Sequence, residues 1–349
     1  GHLLALMPEG LNLQFAATII KDENENLSSL SARLNAVGKI KYVVAGAETG
    51  VELADALSEH MGLVSNGTAN SKARRDKYTM GETVRSAGVR AVKQLKTSKW
   101  GEVEAYLKAW NPTPFKVIMK PIDSAGSDGV TLCQSMEECQ KAFGDIIGKT
   151  NVLGLVNEQL LVQEYLEGTE YVVDMVSREG EHKCVAIWEY ERKALNGAGF
   201  VCIGQRLLTI DEPRAQELVT YQKRVLSALG INYGPSHGEV KWHQGEPVLV
   251  EVGSRCHGAE GFWMPVADAV YGYNQVECAI DSYEKGPSAY SAMPESPLKR
   301  YSWGYLLFFV VYKDGLYHDA DRNMVEEITS MKSFLNMEIF LSKGETVRK

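Results

Sequence analysis

No stretch of this sequence is apolar for the ~18 residues that a membrane-crossing helix needs. The most apolar run, WGYLLFFVVY at Trp303–Tyr312, has the length of a buried strand. Positive charge is also in deficit. Lys and Arg number 37 against 45 Asp and Glu, a net charge of −8, so no broad basic field attracts nucleic acid or anionic lipid, although a local basic pocket is not excluded. There is no CxxC pair. The six cysteines (Cys133, Cys139, Cys184, Cys202, Cys256, Cys278) are scattered, which argues against a disulfide framework or zinc site and for reduced thiols in a cytosol. The start, GHLLALMPEG, lacks a basic region followed by a cleavage signal, and Gly1-His2 reads as a tag scar. Internal repeats are missing as well. What remains is 349 residues, 44% hydrophobic and 23% charged: a soluble globular chain long enough for two or three lobes with their own cores.

The first ~70 residues alternate apolar runs with helical patterns. FAATII (Phe15–Ile20) and KYVVAG (Lys41–Gly46) read as buried parallel strands, and Glu48–Gly62 as a helix with Val51, Leu53, Ala54 and Leu57 inward. Ser71–Val89 is expected to be a basic helix ending near Gly88, Lys116–Pro121 a strand, Glu137–Ile147 a helix and Gln159–Gly168 a strand and turn. Glu170–Lys193 alternates like a hairpin turning at Arg178–Glu181, and a helix is expected over Asp211–Leu229. Helix continues to Tyr283 after the next hairpin, Glu284–Pro297 has the composition of a linker, and strands are expected at Tyr301–Tyr312 and Phe334–Leu341.

Chemistry concentrates in HGEVKWHQGEPVLVEVGSRCHG (His237–Gly258). It reads as strands Gly238–Trp242 and Val248–Gly253 about a turn centred on Gly245, pairing Trp242 with Val248, Lys241 with Leu249 and Glu239 with Glu251. Like charges facing each other across a ladder repel, unless a cation sits between them. Two carboxylates suit a hard divalent ion, and Arg255 just beyond suits a transferred phosphoryl group or an oxyanion. A register one residue out would instead turn one carboxylate outward. His237, two before Glu239, would share its face. KPIDSAGSDGV (Lys120–Val130) places a lysine at a strand end before a loop of small residues; it is either a phosphate cradle or a flexible hairpin tip, and it is not a Walker A loop. VQEYLEGTEY (Val162–Tyr171) offers Glu164 and Glu170 near a turn, either for a base and ribose or as ordinary surface acids. Cys256 reads as a small packed residue rather than a nucleophile.

Taken in order, RRDKYTM, VIMKP, SAGSDGV, VQEYLEGTEYVVD, HGEVKW and VLVEVGSRCHG resemble the ATP-grasp superfamily of carboxylate–amine ligases, and within it the L-amino-acid ligases (dipeptide synthetases). The resemblance implies an α/β (α+β) ATP-grasp fold, two lobes sandwiching ATP behind an N-terminal Rossmann-like domain. The corresponding divisions are 1–72, linking helices 73–112, a small lobe 113–168, a large lobe 169–285 and a β-rich subdomain 286–349. It implies that Lys77 and Lys120 contact phosphates, that the Ser124–Gly129 loop, with Ser127, closes over them, that Glu164 with the backbone of Tyr165 and Leu166 holds adenine, and that Glu170 holds ribose. Glu239 and Glu251 would bind one or two Mg²⁺ ions, with Mn²⁺ able to substitute, and Arg255 would steady an acyl phosphate. Many relatives carry Asn two residues after the second glutamate; here that position is Gly253. By analogy Arg192, Lys193 and Asn196 lie near the acceptor, with His257, Glu260 and Trp263 beyond the arginine.

The implied activity is ATP-dependent coupling of a carboxylate to an amine in the cytoplasm, with small-molecule substrates, no nucleic acid or membrane partner, and room for a homodimer. An ATP-grasp carboxylase or formate-dependent purine-type enzyme is the alternative. A non-catalytic nucleotide-binding module would have lost the acidic pair or the arginine, and both are present.

Overall fold

The computed structural model describes residues 17–122, 124, 128–152, 154–195, 198–297 and 299–347. The N-terminal part holds α1 (Leu27–Val37), capped by Asn26, a 3₁₀ turn at Glu48–Gly50 and α2 (Val51–His60). Residues 17–20 and 41–46, expected as parallel strands, are not strands: among the described residues no segment pairs with them, and an extended segment without a ladder partner leaves its backbone groups to solvent. Phe15 and Ala16, the first residues of the expected strand, lie outside the described residues. This part is anchored through Arg74, which is fully buried: its guanidinium pairs with Asp55 at 2.9 Å and donates to Leu229 O at 3.0 Å.

α3 (Lys77–Ser86) follows, its Asp76 cap accepting from Thr79 N at 2.6 Å. The remaining α3 geometry matters for the site. Lys77 is the first residue of the helix, where the dipole disfavours a cation, so its charge needs an acidic partner nearby.

A four-stranded antiparallel sheet is built from β1 (Gln94–Thr97), β2 (Val117–Pro121), β3 (Thr131–Cys133) and β4 (Leu160–Glu164) in the order β1-β4-β2-β3, with α4 (Trp100–Trp110) and α5 (Met136–Ile146) on one face. Val103 and Leu107, Cys139, Ala142 and Ile146 pack on Val117, Met119, Leu160 and Val162. The second sheet holds β5 (Glu170–Arg178), β6 (Glu181–Leu195), β7 (Ala198–Leu207), β8 (Gly234–His243), β9 (Glu246–Gly253) and β10 (Tyr305–Leu307), in the order β10-β7-β6-β5-β8-β9, also antiparallel. α6 (Ala215–Leu229) and α3 cover one face through Leu218, Val225, Leu226, Met80 and Val84. α7 (Trp263–Tyr271) covers part of the other through Trp263, Val266 and Val270 against Val172 and Trp188. Val92, Leu166 and Val248 join the two sheets at their seam.

α8 (Gln275–Glu284) is followed directly by α9 (Gly286–Ala292), where a linker was expected. Composition misleads here because Tyr290 is buried and its hydroxyl donates to Val176 O at 3.1 Å and Glu181 O at 2.8 Å, tying the segment to the β5–β6 turn. Of the expected strand Tyr301–Tyr312 only β10 forms, pairing with β7, and Phe334–Leu341 has no strand partner. The rest of the C-terminal part comprises β11 (Gly315–Leu316), α10 (Arg322–Thr329) and β12 (Thr346–Val347). Its apolar pattern is not matched by burial: Trp303, Phe309 and Phe340 are exposed. All six cysteines are free. Among the described residues no helix is long and apolar enough to cross a membrane.

Candidate active site

The two sheets meet over one cavity, and most of the residues singled out in the sequence line it: Lys77, Lys120, Ser124, Glu164, Tyr165, Leu166, Glu170, Arg192, Glu239 and Glu251. They come from the start of α3, from β2 and β4 of one sheet and the segments that follow them, and from β5, β6, β8 and β9 of the other.

Glu239 and Glu251 are paired across β8 and β9, but not by the simple hairpin that their spacing suggested. The turn is two residues, Gln244 and Gly245, both at positive φ (51° and 89°), closed by His243 opposite Glu246. That is the sense of turn that matches strand twist. From it the register runs Trp242 with Pro247, Lys241 with Val248 and Val240 with Leu249, one residue away from expectation. Continued unbroken, it would set Glu239 opposite Val250 and send Glu251 to the other face. A bulge between Glu239 and Val240 absorbs Val250 and restores Glu239 opposite Glu251. Bulges re-aim side chains in this way beside functional sites.

The acids and bases here are interlocked. Lys77 Nζ lies 2.9 Å from Glu251 Oε2. Burial works against its charge, yet Glu251, Glu48 and Glu239 together hold its pKa above the usual lysine value. Lys120 is buried and has Lys77 as its near neighbour; desolvation and that like charge pull it down to about 8. Burial raises the Glu239 carboxyl, but His237 beside it, Arg192 and Arg255 outweigh that and hold it at about 2. Glu170 is pushed up by burial and by the Glu239 charge, and its carboxylate accepts from Arg192 Nε at 2.7 Å.

Glu164 is committed elsewhere: its two oxygens take Arg90 Nη2 at 2.8 Å and Lys93 N at 3.0 Å, with His243 Nε2 at 3.5 Å. Its backbone N–H is committed as well, donating to Lys93 O at 2.8 Å. Gly129 is at φ 66°, and a Cβ there would fall 2.9 Å from Pro121, so it serves the turn rather than the cavity wall. Arg255 is not a wall residue: its Nε sits 2.9 Å from Glu48 Oε2, whose other oxygen takes Arg75 Nη1 at 2.8 Å. Lys193 is exposed beside Glu191 at 3.0 Å, away from the cavity.

His257 and Trp263, expected as substrate contacts, are buried and do not line this cavity. Trp263 is 1% exposed and donates to Gly258 O at 2.8 Å; His257 is buried against Asp174, Tyr190 and Trp188. The chain turns inward after Arg255, so proximity in sequence to the arginine did not mean exposure to the site. Ser127, Asn196 and the side chain of Glu260 lie outside the described residues.

Two charged wall residues were missed. Lys241 shares the face of Glu239 by the two-residue period of β8, a signal present in HGEVKW. Asp128, inside the quoted glycine loop, accepts from Ser124 Oγ at 2.8 Å and Val152 N at 3.1 Å.

Among the described wall residues four are cationic (Lys77, Lys120, Arg192, Lys241) and five are acidic (Asp128, Glu164, Glu170, Glu239, Glu251), so the cavity has no surplus of positive charge for a polyphosphate. Two opposed carboxylates of hard oxygen donors fit a divalent cation of the Mg²⁺ type, which would redress that balance.

Residues 113–261 match the family profile described as the ATP-grasp domain. Dapdiamide A synthase from Enterobacter agglomerans is 35% identical over 234 residues, covering 67% of this chain and 54% of that protein. An L-arginine-specific L-amino acid ligase from Bacillus subtilis is 23% identical over 236 residues, 66% of this chain and 55% of that protein. The chain thus spans about half the length of the curated relatives it matches. Among solved structures, an L-amino acid ligase from Bacillus licheniformis superposes with a TM-score of 0.74 at 16% identity, covering 94% of this chain and 76% of that one, and a phosphoribosylglycinamide synthetase from Anaerococcus prevotii with 0.61 at 14% identity, covering 93% and 77%. At these identities the superpositions speak for the fold. Fold, cavity and family profile agree: the chain carries an ATP-grasp domain at residues 113–261, and the sequence relatives named above are a dapdiamide A synthase and an L-amino acid ligase.

Proposed function

We propose that this chain joins a small-molecule carboxylate, an amino acid by its likeness to the ligases above, to an amine at the expense of ATP. The carrying observation is the bulge-enforced pairing of Glu239 with Glu251 beside Lys77 and Lys120 in one cavity between the two sheets. In the proposed reaction the substrate carboxylate attacks the γ-phosphoryl group, ADP departs, and an acyl phosphate forms. The amine then attacks the acyl carbon and inorganic phosphate leaves. A divalent cation held by Glu239 and Glu251 would supply charge neutralisation at the phosphates. Lys77 and Lys120 bind and orient the phosphate chain, the Tyr165–Leu166 backbone takes the base, and Arg255 steadies charge on the transferring group. No nucleophilic side chain is needed. The test is phosphate release screened over pairs of amino acids, with mass analysis of the product. ADP release supported by bicarbonate alone, with no condensed product from any pair, would replace the ligase with a carboxylase.

Lys120 gives nucleotide binding a pH dependence. With its pKa at about 8, it is charged below that pH and neutral above it, so phosphate attraction weakens as pH rises through 8. Bound phosphate favours the charged form and draws a proton onto the amine. ADP affinity should therefore fall about tenfold between pH 7 and pH 9.5, with proton uptake visible as a buffer-dependent binding enthalpy at pH 8.5. Lys120→Arg should flatten the profile. Equal slopes in both chains would take Lys120 out of the phosphate site.

Restoring the asparagine of many relatives at position 253 should fail here. A Cβ on Gly253 would meet Glu48 Oε2 at 2.7 Å and Arg255 Cζ at 3.1 Å. Gly253→Asn must displace the Glu48 carboxylate from Arg255, and about a tenfold loss of turnover is expected with little change in ADP affinity. Activity at or above the parent level would mean that the Glu48–Arg255 contact is dispensable.

A further inference from the structure

Beside the cavity lies a buried charged cluster that the proposed reaction does not use. Asp174 on β5 faces His237 on β8 across the ladder, and has no solvent exposure. Its carboxylate accepts three hydrogen bonds, from His237 Nδ1 at 2.9 Å, His257 Nδ1 at 2.8 Å and Trp188 Nε1 at 2.9 Å. His257 is in turn fixed by Tyr190, whose hydroxyl is 3.1 Å from Nε2, and by Trp263 and Trp188 packed around the ring. The cluster sits at the border between the cavity end of the sheet face, with Glu239 and Lys241, and the end covered by α7.

A buried carboxylate bonded to two imidazoles is a poor device for stability, because apolar residues of the same volume do as well or better. The cluster does have an outlet. With His237 Nδ1 tied to Asp174, the ring cannot turn, and its Nε2 is aimed at Glu239 Oε1, 3.6 Å away. The opposite acid, Glu251, has its own partner in Lys77 at 2.9 Å. Each of the two facing carboxylates is thus set by a different neighbour.

We propose that His237, locked by Asp174, is a positioning residue that orients the Glu239 carboxylate toward a divalent cation shared with Glu251. This inference rests on the assignment of those two acids to a cation. Partners of this kind orient metal-binding groups in many sites, and their loss weakens metal affinity about 10–100-fold.

The test is titration of the full chain with Mn²⁺ in the presence of ADP, read by electron paramagnetic resonance, beside ADP affinity in EDTA and thermal unfolding. Asp174→Asn and His237→Ala should weaken Mn²⁺ binding about 10–100-fold and leave metal-free ADP affinity within about twofold. His237→Gln, whose amide can reach the Nε2 position, should recover a large part of the loss. Trp188→Phe removes a different hydrogen bond from the same carboxylate; it should lower the melting temperature and keep Mn²⁺ affinity. The proposal is overturned if Asp174→Asn and His237→Ala bind Mn²⁺ like the parent, or if Mn²⁺ affinity falls in step with melting temperature across all four variants. Unchanged Mn²⁺ affinity in Glu239→Gln overturns the cation assignment itself, and the positioning role with it.

Discussion

Glu251→Gln is expected to lower turnover about 10³-fold, some 4 kcal/mol of transition-state stabilisation, while leaving metal-free ADP affinity unchanged or slightly tighter. Two consequences of the substitution act in opposite directions on the nucleotide. Removing the charge takes away one of two facing carboxylates, so a divalent cation loses a ligand and the Mg²⁺ concentration for half-maximal rate should rise. It also releases Lys77, which pairs with Glu251 at 2.9 Å in the free protein. An unpaired Lys77 is more available to phosphate, which is why metal-free binding does not fall. Calorimetry with ADP in EDTA and steady-state rates over a Mg²⁺ series separate the two. If turnover is normal, the pair does not hold the cation. If ADP affinity in EDTA drops together with turnover, Glu251 serves mainly to hold Lys77 in place.

The hairpin also shows where sequence reasoning was right for an incomplete reason. Period-two alternation and a Gly-containing turn made two strands legible, and a turn centred on Gly245 put Glu239 opposite Glu251. The real turn is the tighter Gln244-Gly245, and a bulge at Val250 supplies the missing residue. Nothing in PVLVEVG marks a bulge, because any residue can be the one left unpaired. Helix was expected over α3, α5, α6 and α8, whereas α9 was read as a linker and α10 was not expected; Asp76, Ser135 and Asn274 cap α3, α5 and α8.

Elsewhere tertiary context decided. KYVVAG has the composition of a strand, but composition cannot supply a neighbour to pair with, and among the described residues it has none. His257 and Trp263 look like site residues in the sequence because they follow Arg255. Their fate depends on Asp174, more than 80 residues earlier, which takes the His257 ring into the sheet face at 2.8 Å. Glu48 was invisible for the same reason. It was placed at the start of a helix, and only the fold shows it between Arg75 and Arg255.

Arg255→Ala should reduce turnover by about 10²–10³-fold, with the ATP KM changed less than about threefold. The geometry explains the split. Arg255 does not line the cavity in the free protein. Its Nε is 2.9 Å from Glu48 Oε2 and its Nη1 donates to Cys256 O at 2.9 Å, so it contributes little to nucleotide binding in that position. In the proposed reaction its effect belongs to the step in which charge builds on the transferring phosphoryl group and the acyl carbon. Glu48 then has a definite part: its Oε2, 2.9 Å from Nε, holds the guanidinium in place together with Cys256 O. If so, Glu48→Ala should also lower turnover, by about tenfold, but should cost nothing further in the Arg255→Ala background, because the group it holds is gone. Additive losses would assign Glu48 a separate role at the site. Equal losses in ATP affinity and turnover for Arg255→Ala alone would make the arginine structural, and the charge-stabilising step would then need another cation from the cavity wall.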